Sequence, residues 1–403
     1  MSYIVINSNK KCILDRKDRK PINRKVYYFD SAANTPVDQR VLNAMYPYLN
    51  QYFGNAASLH QFGMKMREAA EKARHQLARM IGADDSEIIF CASATEANNT
   101  VIRGIAENRA NRGKHIILSA VEHPSVYNLG EYLQSIGFQV DYAAVDSQGR
   151  LKMDDFKQML KPETILVSVM HINNELGVIQ PISEIAEICD KNNIVFHTDA
   201  SQSFGRMPIE VGQQINCMTA SSHKIYGPLG AAMIYCRKDT MFTPLISGGQ
   251  QESGRRASTL NVPAIVGFGE AASIFQQSYQ SEWEQLNRKR EKLKDKLLQD
   301  IPDCQMLGSE EHQAPHILTA AFRDTDSELL QMELDRKGIA IATGSACTSA
   351  KIKTSYVLTA CGLDARWAAG TIRISLSRFT KDDEIEYLLA ALPKAVQKIR
   401  SLS

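Results

Sequence analysis

No stretch of the 403-residue chain approaches 18 consecutive apolar residues, so no membrane-spanning helix is expected. Neither sign of charge dominates. There are 47 Lys and Arg against 45 Asp and Glu, a formal +2, and a nucleic-acid binder would ordinarily be more basic. The eight cysteines, at positions 12, 91, 189, 217, 236, 304, 347 and 361, include no CxxC pair and no metal-ligand spacing. Neither a metal site nor a disulfide framework is therefore indicated, and a reducing, cytoplasmic compartment fits. Internal repeats and low-complexity segments are also missing. What is present, 44% hydrophobic and 23% charged residues, suffices for a large core. The length suggests two to three domains at about 100–200 residues each.

Charge is unevenly placed. Residues 1–25 hold eight Lys and Arg and two Asp, a net of +6 that leaves −4 for the remainder. This segment has no apolar run of the secretory kind, and its aspartates argue against an organelle transit peptide. It reads as a solvated basic arm, with a docking tail for an acidic partner as the alternative.

Between about residues 85 and 240, the strand-like runs EIIFCA (87–92), HIILSAVEH (115–123), ILVSVMHIN (165–173) and IVFHTDAS (194–201) alternate with helix-like segments. SVYNLGEYLQSIG (125–137) is one such segment. In another, Ile182, Ile185, Ala186 and Cys189 recur at spacings of three and four, with Pro181 and Ser183 at its start. This alternation predicts βαβ units in a mostly parallel sheet. A long charged helix over about 265–300 precedes strand-like ILTAAF and IRISLSRF and helix-like ELLQMELDRKG. The expectation is a large α/β domain with a smaller α+β domain formed from both ends of the chain.

Four features carry chemistry. In SSHKIYGPLG (221–230), Lys224 sits among small residues at a strand end, where desolvation lets an amine form a Schiff base. HTDAS places Asp199 at the carboxyl edge of the sheet, where open α/β sheets bind ligands. There it could face a pyridine nitrogen or simply cap a helix. CASATEANN (91–99) runs from a strand into a helix, so free N–H groups and the Thr95 hydroxyl form an anion site, unless Thr95 is only a cap. TGSACTSA (343–350) presents Cys347 among small polar neighbours, which suits a thiolate nucleophile. Cys189 and Cys236 read as the buried, inert kind.

Together, YFDSAANTP, ASATEANN, VEHPSV, HINNELG, HTDASQS, SSHKIYGP, GGQQESGRRASTL, GSACTSA and IRISLSRFT resemble, in order and spacing, the cysteine desulfurases. These are pyridoxal 5′-phosphate (PLP) enzymes of the class V aminotransferase group. The resemblance covers roughly residues 26–395, and GSACTSA is similar to the branch with the longer cysteine loop, that of the iron–sulfur assembly desulfurases.

The resemblance implies an α/β, fold-type I PLP-dependent transferase. Its parts would be a basic arm (1–25), a large PLP-binding domain (26–265) whose first residues pack with the small domain, and a linking helix with a small C-terminal domain (266–403). Lys224 would hold PLP covalently, Asp199 would pair with its ring nitrogen and Gln202 with its phenolic oxygen. His123 would stack on the ring and assist proton transfer from the substrate thiol. Ala94, Thr95, Ser221 and His223 would bind the phosphate, joined by Thr259 from a neighbouring subunit, which implies a homodimer. Asn174 would sit beside the ring and the substrate carboxylate, which Arg373 would clamp. Cys347 would take sulfur from L-cysteine as a persulfide, leave L-alanine, and pass the sulfur to an acceptor protein. That acceptor could belong to iron–sulfur assembly or another thiolation pathway, DNA phosphorothioation included. An aminotransferase on this fold would have no use for Cys347; a selenocysteine lyase would share nearly all of these residues. The chain departs from the family at Asn34, Ala56 and Ser93, and in the arm before Val26. Ser93 replaces a Gly that permits positive φ, so a less accommodating phosphate turn is expected.

Overall fold

A computed structural model describes residues 25–344 and 355–402; Cys347 and the first 24 residues of the basic arm lie outside them. The larger part is a seven-stranded sheet. Its spatial order is Ile88–Cys91, Ala232–Cys236, Cys217–Ser221, Val195–Asp199, Thr164–Ser168, His115–Ser119 and Gln139–Ala143. Every neighbouring pair is parallel except the two that involve Ala232–Cys236. Strands buried on both faces must be apolar nearly throughout, as parallel strands between helical layers are. Successive side chains then enter opposite cores. Phe90, Ile117, Val167, Phe196 and Met218 join one core with the helices Gln61–Ile81 and Ile182–Lys191. Ile89, Ile116, Leu166, Val195 and Cys217 join the other with the helix Ala94–Arg109.

The expected helix over 125–137 is two, Pro124–Tyr127 and Leu129–Ser135. The first starts at a proline one residue before the predicted segment, with the His123 side chain as its cap. The long charged helix is longer than expected, Val262–Asp300, because Asn261 caps it through Ala264 N and Pro263 fits its first turn. At 39 residues it spans about 58 Å. Its first half, through Val262, Phe268 and Ala272, belongs to the core of the large sheet. Leu286, Leu293 and Leu297 belong to a separate core, that of the smaller sheet.

The smaller sheet is antiparallel, in the order Ala342–Thr343, Thr371–Ser375, Ile317–Phe322 and Cys304–Leu307. Beside it, Tyr27–Tyr28 pairs in parallel with Ile339–Ala340, and Phe29 enters the same core. The segment after Phe29 then crosses to the carboxyl ends of the large sheet. There the Thr35 hydroxyl donates to the His223 carbonyl at 2.8 Å. Among the described residues, no helix is long and apolar enough to cross a membrane.

Candidate active site

A cavity of about 440 Å³ opens where these parts meet. The carboxyl ends of strands contribute Ser93, Ala94 and Thr95, Asp199 and Gln202, and Ser221, His223 and Lys224. This is the edge at which open α/β sheets bind ligands. Thr343, Gly344 and Arg373 come from the smaller sheet, and Asp30, Ala32 and Ala33 from the start of the chain.

Asp199 is 4% exposed, and both carboxylate oxygens have partners. Ser201 N–H donates to Oδ1 at 2.9 Å and Asn98 Nδ2 to Oδ2 at 2.7 Å. Asn98 is wholly buried, and its amide also donates to Ser125 Oγ at 2.9 Å while its oxygen accepts from Thr219 Oγ1 at 2.5 Å. The carboxylate is thus fixed by an amide that cannot rotate without breaking three bonds. His123 accepts Ser125 N–H at Nδ1 (3.1 Å), which leaves Nε2 as the nitrogen carrying hydrogen. Burial lowers the His123 pKa, more than the facing Asp199 raises it.

Lys224 ends the short helical turn Ser222–Lys224 and donates to the Ala32 and Ala33 carbonyls at 2.6 and 2.7 Å. Burial, with the Arg373 cation next in weight, lowers its pKa to about 8. The amine is therefore protonated below pH 8 and a free base above it. At pH 7.5 roughly a quarter of the molecules carry a nucleophilic amine, against about one in a thousand for an ordinary lysine. Reductive capture of an aldehyde at Lys224, followed by mass spectrometry, should rise with pH and level off above about 8. A profile still climbing at pH 10 would mean an ordinary, solvated amine. Gln202 shares the Ala32 carbonyl through Nε2 at 2.8 Å.

At the opposite end, the first turn of the helix Ala94–Arg109 leaves the Ala94 and Thr95 N–H groups without intrahelical partners. The cap is Ser93, which accepts Glu96 N–H at 3.1 Å, and not Thr95. Ser93 has φ −155° and ψ 158°, extended backbone open to any residue, so the turn does not need the glycine freedom expected from the family pattern. Ser221 Oγ is buried at this end with no partner, and burial lowers the His223 pKa to about 4, so that side chain is neutral. Two open N–H groups, an unsatisfied hydroxyl and a neutral imidazole fit a phosphate. A fixed carboxylate and a depressed amine fit a basic ring nitrogen and a carbonyl carbon. The residues present match one ligand carrying all three.

Arg373 holds the third side. Its Nη2 donates to Asp30 Oδ1 and its Nη1 to the Asn174 carbonyl, both at 2.7 Å, while Nε is buried without a partner. Asn174 is presented by a turn in which Asn173 Oδ1 accepts Glu175 and Leu176 N–H, closed by Gly177 at φ 76°. A Cβ at Gly177 would meet Gln313 Nε2 at 2.4 Å.

The cavity therefore gathers Ala94, Thr95, His123, Asn174, Asp199, Gln202, Ser221, His223, Lys224 and Arg373. Thr259 is exposed and does not line it, and Cys347 lies outside the described residues. Sequence reasoning missed Asn98 and Asp30. A polar residue on the buried stripe Ala97, Val101 and Ile105 was the available signal for Asn98. Asp30 carried none, because its partner is 343 residues away. Among the described residues, no cluster of His, Cys, Asp and Glu could hold a metal ion.

The class-V aminotransferase profile matches residues 27–388. A curated relative, cysteine desulfurase IscS 1 of Archaeoglobus fulgidus, is 40% identical over 377 residues, covering 93% of this chain and 98% of its own. A solved NifS-like protein superposes with a TM-score of 0.88 at 34% identity, over 93% of this chain and all of its own. DndA of Streptomyces lividans superposes with a TM-score of 0.74 at 35% identity, over 86% of this chain and 99% of its own.

Proposed function

Since the chain belongs to the class-V aminotransferase family and, within it, to the cysteine desulfurases, we propose that it converts L-cysteine to L-alanine and retains the sulfur on Cys347. The family is PLP-dependent. The observation carrying this reading is the single cavity in which Lys224, Asp199 and the Ala94–Thr95 anion end face Arg373.

When bound, PLP supplies an electron sink that draws charge from the substrate Cα and so weakens the C–S bond. The chain does the rest. The Ala94 and Thr95 N–H groups, Ser221, His223 and the Thr95 hydroxyl hold the phosphate. Asp199 keeps the ring nitrogen protonated, its charge held in place by Asn98 and Ser201 N–H. Gln202 donates to the phenolic oxygen. Arg373 and Asn174 bind the substrate carboxylate, and Arg373 is already oriented by Asp30. Lys224 removes the Cα proton, for which an amine of pKa about 8 is well matched near neutrality. His123, which lines the same cavity, would help hold the ring and exchange the substrate thiol proton through Nε2.

The Cys347 thiolate attacks the substrate sulfur. An S–S bond forms as the C–S bond breaks, its electron pair stays with carbon, and protonation there yields alanine. The persulfide sulfur then passes to an acceptor protein of iron–sulfur assembly or another thiolation pathway, in the reducing cytoplasm. A second copy of the chain completes the site through Thr259. Tyr46, Leu49, Phe53, Leu59 and Phe62 support this reading. They are exposed on and between the helices Gln39–Asn50 and Gln61–Ile81, with Phe53 74% and Leu59 84% exposed and the Phe53 and Phe62 rings in contact, apolar surface that a second copy would cover.

Purified protein given L-cysteine and a reductant should form alanine and sulfide in equal amounts, carry a visible cofactor band, and sediment as a dimer. A band without alanine would overturn the substrate. No band after reconstitution would overturn the cofactor, and a catalytically competent monomer would overturn the role of Thr259.

A further inference from the structure

Glu96 places a negative charge in the first turn of the helix that faces the phosphate. It is there for a local reason. Its Oε2 accepts Ala92 N–H at 3.0 Å while Ser93 Oγ accepts Glu96 N–H at 3.1 Å, a reciprocal cap that shapes the turn. The same carboxylate competes with a phosphate for the positive end of the helix and repels it. Arg256 answers that charge. Its Nε meets Glu96 Oε1 at 2.6 Å and its Nη2 meets Oε2 at 3.2 Å, with the two side chains only 11% and 14% exposed. Arg256 does not itself line the cavity.

The segment bearing Arg256 is held in an unusual conformation. Glu252, Ser253 and Gly254 are left-handed in succession, at φ 50°, 57° and 76°, and Ser258 stands at 107°. Non-glycine residues persist there only where their surroundings over-determine them. Here the Glu252 carboxylate takes both Arg74 Nη groups at 2.8 Å and the Phe90 N–H at 2.7 Å, and Arg255 Nη2 donates to the Ser86 carbonyl at 2.8 Å. The strand Ile88–Cys91 is thereby gripped just before the phosphate turn, and Arg256 grips just after it.

We propose that Arg256 is a positioning residue for the phosphate end of the cavity, acting through Glu96: it cancels the carboxylate's charge while leaving its cap intact. The assignment rests on the cofactor reading above. The test is equilibrium binding of PLP and of pyridoxal, which lacks the phosphate, to apo protein. Arg256→Ala should weaken PLP by about 10-fold or more, leave pyridoxal nearly unchanged, and lower kcat at saturating cofactor far less than it lowers affinity. Glu96→Gln in the Arg256→Ala background should restore most of the PLP affinity, because the unpaired charge is gone. Arg256→Lys should fall between the two.

Equal weakening of PLP and pyridoxal, or no recovery in the double variant, would overturn the proposal and leave Arg256 a merely structural residue. Apo variants with an unchanged thermal midpoint exclude misfolding as the cause. Wild-type protein that binds no PLP would overturn the cofactor reading itself, and this assignment with it; loss confined to the variants bears on Arg256 alone.

Discussion

Lys224→Ala protein is expected to lose alanine formation by at least about 10³-fold while remaining folded. The proposed mechanism gives the side chain two tasks, binding the cofactor covalently and removing the Cα proton, and no described neighbour can substitute. Arg373 is engaged with Asp30 and the Asn174 carbonyl, and the His123 pKa is depressed by burial. Stability should change little. Removing Lys224 deletes two hydrogen bonds to the Ala32 and Ala33 carbonyls but also relieves the burial of an amine whose pKa has already fallen to about 8. Lys224→Arg is the informative companion. It restores a positive charge and donors to the same carbonyls, yet a guanidinium stays protonated and cannot act as base or nucleophile. Both variants should therefore be equally inactive and release PLP on dialysis. An active Lys224→Arg enzyme would show that charge, rather than amine chemistry, is what the site requires.

Cys347→Ser protein should pass no sulfur to an acceptor while keeping the visible cofactor band of the parent. A hydroxyl at neutral pH is not a nucleophile toward sulfur, whereas a free thiol is a few per cent thiolate. The six cysteines the structure describes are poor substitutes. Cys91, Cys189, Cys217 and Cys236 are buried in the cores, and burial raises the first three thiols well above the usual range. Cys304 and Cys361 are partly exposed, but burial lifts both to about 12. Persulfide mapping by mass spectrometry after a single addition of L-cysteine is the check. Sulfur retained elsewhere, or an acceptor still loaded, would remove Cys347 from the mechanism.

The parts of this protein readable in its sequence are those whose cause is local. Short continuous runs of Ile, Val and Leu mark the strands because both faces meet a helical layer. Lys224, Asp199 and Thr95 are legible because small residues at a strand end leave room for a ligand. Where the cause is distant, sequence reasoning stops. Asp30 is chosen by Arg373, Glu252 by Arg74 178 residues back, and Asn98 by three partners on three other segments. The substitution at Ser93 misleads for a different reason, since its cause is local. Glycine at that position suggests a backbone need, but the need is for a cap, and extended φ and ψ let serine meet it.

The pairing of Tyr27–Tyr28 with Ile339–Ala340, and of Asp30 with Arg373, has a consequence for how the protein is made. A ribosome delivers the large sheet first, and that sheet can pack its helical layers as it emerges. The segment 27–33 must wait for strands synthesised more than three hundred residues later. Until they arrive, the Ala32 and Ala33 carbonyls that hold Lys224 are tethered from one side only, through Gln202 and Thr35, and Arg373 has not been translated. A nascent chain therefore carries the Ala94–Thr95 end of the cavity well before its Arg373 end, and the cavity is complete only with the last strand.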